Sequence, residues 1–116
     1  MKLNEYSLIT ILIFLVTNVI IWYQLNSQLV WDWAKGYKSM WLMSLLGIPI
    51  SLLFWYATKI GYIGFGSLWS VRFIGFACSM ITFPIMTYFY LGEPLTMKTT
   101  ITIGLATVIM ILQLIN

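Results

Sequence analysis

The stretch SLWSVRFIGFACSMITFPIMTYFY, residues 67–90, decides the fold of this chain, because it is a long apolar run with a single charge. A helix rises about 1.5 Å per residue, so such a run can cross a hydrocarbon core about 30 Å thick. Its one charged side chain is Arg72. A charge within a membrane span costs roughly 2.5–3.5 kcal/mol, so it is usually paired, placed near the surface or functional.

Three further apolar runs surround this one, at about residues 7–23, 40–58 and 99–115, and each is long enough to cross a bilayer. The chain of 116 residues is 61% hydrophobic and only 8% charged. A soluble protein of this composition could not cover its surface with polar atoms. We therefore predict an all-α membrane protein, a four-transmembrane-helix bundle that forms one domain over residues 1–116. We expect it to be integral to a membrane of the bacterial inner (plasma) membrane type.

Composition argues against several classes of function. The six basic residues are scattered, so no patch for nucleic acid is predicted. The chain has no histidine and one cysteine, Cys78, which predicts neither an intrachain disulfide nor a metal site of the soft-ligand type. The spans contain no carboxylate and no paired acid and base, so we expect neither an enzyme nor a cofactor.

The N-terminal run resembles a secretory signal peptide, since Lys2 precedes an apolar segment. However, the segment ends in Trp22-Tyr23-Gln24, and these bulky residues stand where a cleavage site needs small ones. We predict a retained span.

Aromatic side chains gather around the first connection, as they do at the lipid–water boundary. They are Trp22, Tyr23, Trp31, Trp33, Tyr37 and Trp41.

Each predicted span carries a stripe of small and weakly polar side chains at helical spacing. The stripes are Ser7, Thr10, Thr17 and Asn18; then Ser44, Gly47, Ser51 and Thr58; then Arg72, Gly75, Ser79 and Thr82, which share a face with Trp69 and Met86; and last Thr100, Gly104 and Thr107. Such residues let membrane helices approach closely, because lipid provides no hydrophobic drive for their packing. We expect the stripes to face the interior of the bundle, where most of these residues simply pack.

Pro49 and Pro84 lie within the second and third spans, and each is expected to kink its helix. Such kinks serve movement or binding in some transporters, although proline is also common in membrane helices generally. We expect the second connection to be loosened by its glycines, which are Gly61, Gly64 and Gly66. We also expect Glu93-Pro94 to start the fourth helix, where a carboxylate and a proline suit the first turn.

The lysines are divided almost evenly between the two sides of the predicted bundle. Alternating helices place Lys2 and Lys59 on one side, and Lys35, Lys38 and Lys98 on the other. Two lysines against three give almost no bias under the positive-inside rule. The count predicts insertion in both orientations and an antiparallel homodimer.

The motif FYLGEPL, residues 89–95, is followed by an apolar helix that contains Ile103-Gly104. This pattern resembles the drug/metabolite transporter superfamily in its short four-helix form. The resemblance covers nearly the whole chain. Thr17-Asn18 and residues 58–62 also resemble an uncharacterised branch of four-helix members, in which a basic residue occupies the position of Arg72.

The small multidrug resistance transporters resemble this chain in length, helix count and balanced charge. They work as antiparallel dimers that exchange cations for protons through a carboxylate in the first span. Here Glu5 lies at the edge of that span, and Asn18 is its nearest buried polar group. The glycines of that family fall on other residues, which are Val71, Phe73 and Ile111. These departures speak against proton-coupled cation export.

The resemblance implies a small-solute transporter that acts as a homodimer in the lipid bilayer. We expect its cavity to be lined by Arg72, Trp69, Ser79, Thr82 and Asn18. A guanidinium offers a bidentate fork to carboxylate or phosphate, so an anionic or zwitterionic solute is expected. Alternatively, Arg72 extends to the membrane surface or forms a structural ion pair.

The alternative function is a non-transporting membrane subunit or assembly partner, which docks on other transmembrane helices. A polar cavity between the helices would favour transport, and a tightly filled bundle would favour the partner role.

Overall fold

A computed structural model describes residues 3–115, and these residues fold into helices joined by short connections. The helices are α1 (Glu5–Asn26), α2 (Tyr37–Ser44), α3 (Gly47–Phe65), α4 (Leu68–Leu91) and α5 (Met97–Leu114), with 3-10 turns at Ser27–Leu29 and Asp32–Ala34. Within the described part, four segments are long and apolar enough to cross a membrane: α1, α2 with α3, α4, and α5. The predicted all-helical fold is confirmed, and so is the presence of four helical segments that are long and apolar enough to span a membrane. Lys2 and Asn116 lie outside the described residues.

α1 lies at the centre of the bundle and packs against both α3 and α4. Its predicted stripe does face the interior, since Ser7, Thr10, Thr17 and Asn18 are all buried. The polar groups are satisfied within their own helix: Thr17 Oγ1 donates to the Ile13 carbonyl at 2.6 Å, and Asn18 Nδ2 to the Phe14 carbonyl at 2.8 Å. These bonds offset the cost of placing polar atoms in an apolar interior.

Two glycines set the distance between α1 and α3. A Cβ added to Gly64 would lie 2.6 Å from the Ser7 backbone nitrogen, and one added to Gly61 would lie 2.9 Å from the Thr10 methyl group. Asn4 Nδ2 also donates to the Gly64 carbonyl at 2.8 Å. The absence of side chains at the two glycines lets the backbones meet.

The predicted loose second connection is therefore wrong. α3 continues through Lys59, Gly61 and Gly64 as far as Phe65, and the turn to α4 consists of Gly66 and Ser67 alone. Gly66 ends α3 with φ +75, a left-handed conformation that glycine adopts without steric cost. Gly61 and Gly64 are buried against α1, where water does not compete for the helical hydrogen bonds, so the helix continues through both glycines.

The second span is broken between α2 and α3. Pro49 is the third residue of α3, where its missing N–H leaves no intrahelical bond unmade. A continuous helix would bring the proline ring against the Leu45 carbonyl, and the break at Leu45–Leu46 relieves that clash. Pro84, in contrast, lies inside the continuous helix α4. Its missing N–H leaves the Met80 carbonyl without its usual helical donor.

The fourth helix begins later than predicted. α4 ends at Leu91 with Gly92, which has φ +67, as its C-cap, and α5 starts at Met97 with Thr96 as its N-cap. The Thr96 hydroxyl accepts a hydrogen bond from the Thr99 backbone N–H at 3.2 Å. Glu93 and Pro94 lie in the connection, because a threonine cap three residues further on satisfies the first turn.

The remaining stripes do not all face inward. On α2, α3 and α5 the exposed members are Ser44, Ser51, Thr58, Thr100, Gly104 and Thr107. Smaller or fully apolar residues such as Ala57, Ile60 and Gly61 take the inner positions of α3 instead. The outward hydroxyls bond to their own helix, as Thr58 does to the Phe54 carbonyl at 2.8 Å. Because these hydroxyl groups are already hydrogen bonded, they can face outward as well as inward. Helical spacing of polar residues therefore does not identify the inner face of these helices.

The bundle is thin. Its Cα atoms extend 47 × 35 × 18 Å, and 18 Å is less than two helix diameters of about 10–12 Å each. α5 packs mainly on α4, and Ala106 is its one buried residue. The packed core lies between α1, α3 and α4 and includes Phe14, Phe65, Ile74 and Cys78.

Candidate functional site

Arg72 lies on the outer surface of α4. It is the fifth residue of the helix, about 6 Å from the helix start, and its side chain is exposed. The one salt bridge among residues 3–115 joins Lys35 to Asp32, so Arg72 has no ion-pair partner in the described chain. Beside it, Trp69 stacks on Phe73 with ring centroids 5.7 Å apart. We call Trp69, Arg72, Phe73 and Phe76 the Arg72 face.

Asn18, Ser79 and Thr82 lie deeper, between α1 and α4. Asn18 and Thr82 are buried, and Ser79 is half-buried. Two contacts fix the level at which the helices meet: the Phe14 ring lies 3.3 Å from a Cβ added to Gly75, and Trp22 Nε1 donates to Thr87 Oγ1 at 3.1 Å. Asn18 lies between these contacts on α1, and Ser79 and Thr82 lie between them on α4.

The five predicted site residues therefore separate into two groups within one chain. Asn18, Ser79 and Thr82 share one level of the α1–α4 interface. Arg72 lies two turns before Ser79 along α4, and Trp69 is 73% exposed on the outer surface. The interface itself is occupied by packed side chains, including Phe14 and Cys78.

A cavity of about 280 Å³ opens between α4 and α5, and we call it the α4–α5 cavity. Its lining includes Phe83, Pro84, Thr87, Glu93, Lys98 and Thr102. It brings together an acid, a base and hydroxyl groups, and it is also lined by Met80, whose carbonyl Pro84 leaves without its helical donor. The one signal of this cavity in the sequence is Gly92-Glu93-Pro94, which favours a turn as well as a helix start.

A second cavity, of about 290 Å³, lies at the end of α1 and the start of α2, and we call it the α1–α2 cavity. Its lining includes Gln24, Ser27, Gln28, Lys35, Gly36 and Ser39. The Gln24 side chain donates to the Met43 carbonyl at 3.1 Å and so ties α1 to α2. In the sequence, this cavity is indicated only by the polar residues at positions 24, 27 and 28, which directly follow an apolar segment.

Aromatic side chains join the first connection to the ends of α1 and α4. Trp22 stacks on Tyr90 with centroids 5.1 Å apart, and Tyr23 stacks on Trp31 at 6.2 Å. The hydroxyl groups of Tyr23 and Tyr90 are hydrogen bonded. The predicted gathering of aromatic residues is present, and Tyr90 is the member that the sequence did not indicate.

Comparison of this chain with protein-family models, with curated proteins and with solved structures finds no match. The resemblance to the drug/metabolite transporter superfamily therefore stays a prediction, carried by residues 89–95 and by the number of helices.

Proposed function

We propose that this chain is an integral membrane protein, and that two antiparallel copies form a carrier for a small anionic or zwitterionic solute. The observation that carries the proposal is the Arg72 guanidinium, which is exposed and has no ion-pair partner among residues 3–115. A charge in a membrane span needs acceptors, and a solute carboxylate or phosphate would provide them in a bidentate arrangement.

The shape of one chain supports a pathway between copies. A bundle 18 Å thick, with Phe14, Phe65 and Ile74 packed in its centre, leaves no room for a solute to pass through it. In an antiparallel pair, the Arg72 face of one copy lies at the same membrane level as the α4–α5 cavity of the other. Arg72 would then meet Glu93 and Lys98 across the interface, and the three charges suit a zwitterion.

The tightly filled interior also favours the second candidate, a non-transporting subunit that docks on other transmembrane helices. The exposed side of α5 carries Thr100, Gly104 and Thr107, and such small residues suit close helix contact. In this case Arg72 would pair with a carboxylate of its partner or extend to the headgroups.

Transport is tested in proteoliposomes by counterflow of radiolabelled glutamate, glycine and phosphate, which represent anionic and zwitterionic solutes. We expect counterflow of at least one probe, and loss of it in Arg72→Leu. Lys59→Leu is the matched control, because Lys59 is also an exposed cation inside a helix, lying 5.5 Å from the Trp55 ring.

Equal counterflow in the wild type and Arg72→Leu would remove Arg72 from the carrier role. A protein that assembles but moves none of the three probes would favour the docking subunit.

A further inference from the structure

The start of α2 has no cap. Its N-cap residue is Gly36, with φ −83 and ψ 164, and no side chain accepts a hydrogen bond from the first turn. The backbone N–H groups of Tyr37, Lys38 and Ser39 have no carbonyl within the helix to bond to. These free donors, with the positive end of the helix dipole, favour a negatively charged group at this position.

Ser27 provides a second, independent indication. Its side chain is 1% exposed, and its hydroxyl group is the one buried side-chain polar atom without a hydrogen-bond partner in residues 3–115. Ser27 and Gly36 line the same α1–α2 cavity. A buried hydroxyl without a partner is destabilising, so its persistence at a cavity wall points to an acceptor that occupies the cavity.

Lys35 adds a positive charge to the same wall. Its Nζ lies 3.0 Å from Asp32 Oδ1, but the Asp32 side chain is almost fully exposed. An exposed pair of this kind contributes little, so Lys35 can exchange Asp32 for a better acceptor. Lys38, in the first turn of α2, is also exposed and increases the local positive charge.

We propose that the α1–α2 cavity binds the phosphate group of a membrane lipid. A phosphate accepts several hydrogen bonds at once, which matches the N–H groups of α2, the Ser27 hydroxyl and the Lys35 ammonium group. Tyr37 lines the cavity, and Trp33 and Trp41 adjoin lining residues in the sequence; all three are exposed, and such aromatic residues favour the headgroup level of a bilayer. The site is independent of the proposed transport and stands without it.

The test is the thermal unfolding temperature of the full chain, delipidated in an uncharged detergent. The probes are short-chain phosphatidylglycerol, the diacylglycerol of equal chain length, and inorganic phosphate at matched ionic strength. We expect phosphatidylglycerol to raise the unfolding temperature and diacylglycerol to leave it unchanged. A larger shift with inorganic phosphate than with the lipid would keep the phosphate site but overturn its lipid source. An equal response to phosphatidylglycerol and diacylglycerol, or none to any probe, would overturn the proposal.

Two variants separate binding from folding. Ser27→Ala removes a buried hydroxyl without a partner, so the free protein keeps or raises its unfolding temperature, while phosphatidylglycerol binds about tenfold more weakly. Gly36→Asp supplies an N-cap carboxylate, and the added side chain has open space because nothing lies within 4 Å of its Cβ. This variant should unfold at a higher temperature and lose the response to phosphatidylglycerol.

Lys59→Gln is the charge-matched control, since it removes an exposed lysine that lines neither cavity. We expect it to respond like the wild type. Wild-type affinity in both Ser27→Ala and Gly36→Asp would show that neither the hydroxyl nor the helix start holds the phosphate, and the proposal would fail.

Discussion

Gly64 and Gly104 show how different the role of one residue type can be within this bundle. A Cβ on Gly64 would meet the backbone of α1 at 2.6 Å, whereas a Cβ on Gly104 would have nothing within 4 Å. Because the first obstacle is backbone, it cannot turn aside as a flexible side chain could. The same Gly→Ala change therefore has opposite expected effects at the two positions.

We expect Gly64→Ala to lower the free energy of unfolding by about 1–3 kcal/mol, since it forces α1 and α3 apart. Gly104→Ala should raise it by up to about 1 kcal/mol, because alanine favours the helix and has open space. Unfolding in mixed detergent, followed by circular dichroism, measures both. A Gly64→Ala protein as stable as the wild type would mean that α1 and α3 do not pack as closely as described.

Substitution of Arg72 by lysine distinguishes solute binding from extension of the side chain to the headgroups. Only arginine presents a planar fork to a carboxylate or phosphate, whereas either cation can extend to the headgroups from about 6 Å inside the helix. We expect Arg72→Lys to fold and assemble normally and to slow counterflow of the transported probe by about tenfold or more. If Arg72→Lys showed wild-type counterflow, Arg72 would instead extend to the headgroups or form a simple ion pair.

Among the elements, α5 is the least supported by the rest of the fold, because it packs mainly on α4. Its start therefore depends on local hydrogen bonds. We expect Thr96→Ala to lower the free energy of unfolding by about 1 kcal/mol, since the Thr99 N–H loses its acceptor. Thr102→Ala is the matched control, because the Thr102 hydroxyl bonds only to the Lys98 carbonyl of its own helix. Equal stability of the two variants would contradict the cap.

The elements also mark how far the sequence could be interpreted. Length and hydropathy were sufficient to predict four spans, because a run such as residues 67–90 has few alternatives. The boundary at Phe65 does not follow from the sequence, since glycines that indicate a turn in a soluble protein serve close helix contact at Gly61 and Gly64. The start of α5 was missed because Glu93-Pro94 and Thr96 are both acceptable helix starts, and the choice depends on how Gly92 turns the chain.

The candidate site was less predictable for a related reason. Helical spacing places Arg72 and Ser79 on one face of α4, but it does not say whether that face meets α1, α5, lipid or another copy. The spacing of the polar stripe predicted an interior position for Asn18, and in the structure α1 is central and the whole stripe is buried. Ser27 belongs to a polar run after the first apolar segment, but its lack of a hydrogen-bond partner follows from tertiary packing around the α1–α2 cavity and cannot be read from that run.

At the scale of the whole molecule, the balanced lysines predict insertion in both orientations. We expect single cysteines at Gln28 and Ile115, in a Cys78→Ala background, each to be labelled from both sides of the membrane by an impermeant reagent. Both residues are exposed in the structure, unlike Ser27. Two lysines inserted between Gly66 and Ser67 should give one orientation, with the two sites on opposite sides. Labelling of the unmodified background from one side only would exclude dual insertion.

An antiparallel pair has a specific consequence for Arg72 and Glu93. Within one chain they are separated by almost the whole of α4, about 30 Å, which is far beyond the reach of a disulfide. In the antiparallel pair they lie at one level, so Arg72 of one copy can pair with Glu93 of the other, and this pair would satisfy the charge of Arg72 without a solute. We expect the double variant Arg72→Cys with Glu93→Cys, in the Cys78→Ala background, to form a covalent dimer on mild oxidation.

The single variants provide the controls. Neither Arg72→Cys nor Glu93→Cys alone should form a dimer in an antiparallel pair, because each cysteine faces an unmodified residue. In a parallel pair, each residue lies level with the same residue of the other copy. A covalent dimer of Arg72→Cys alone would therefore indicate a parallel arrangement instead of an antiparallel one. It would also remove the meeting of Arg72 with the α4–α5 cavity, because the two lie at opposite ends of α4 and only an antiparallel partner can bring them to one level.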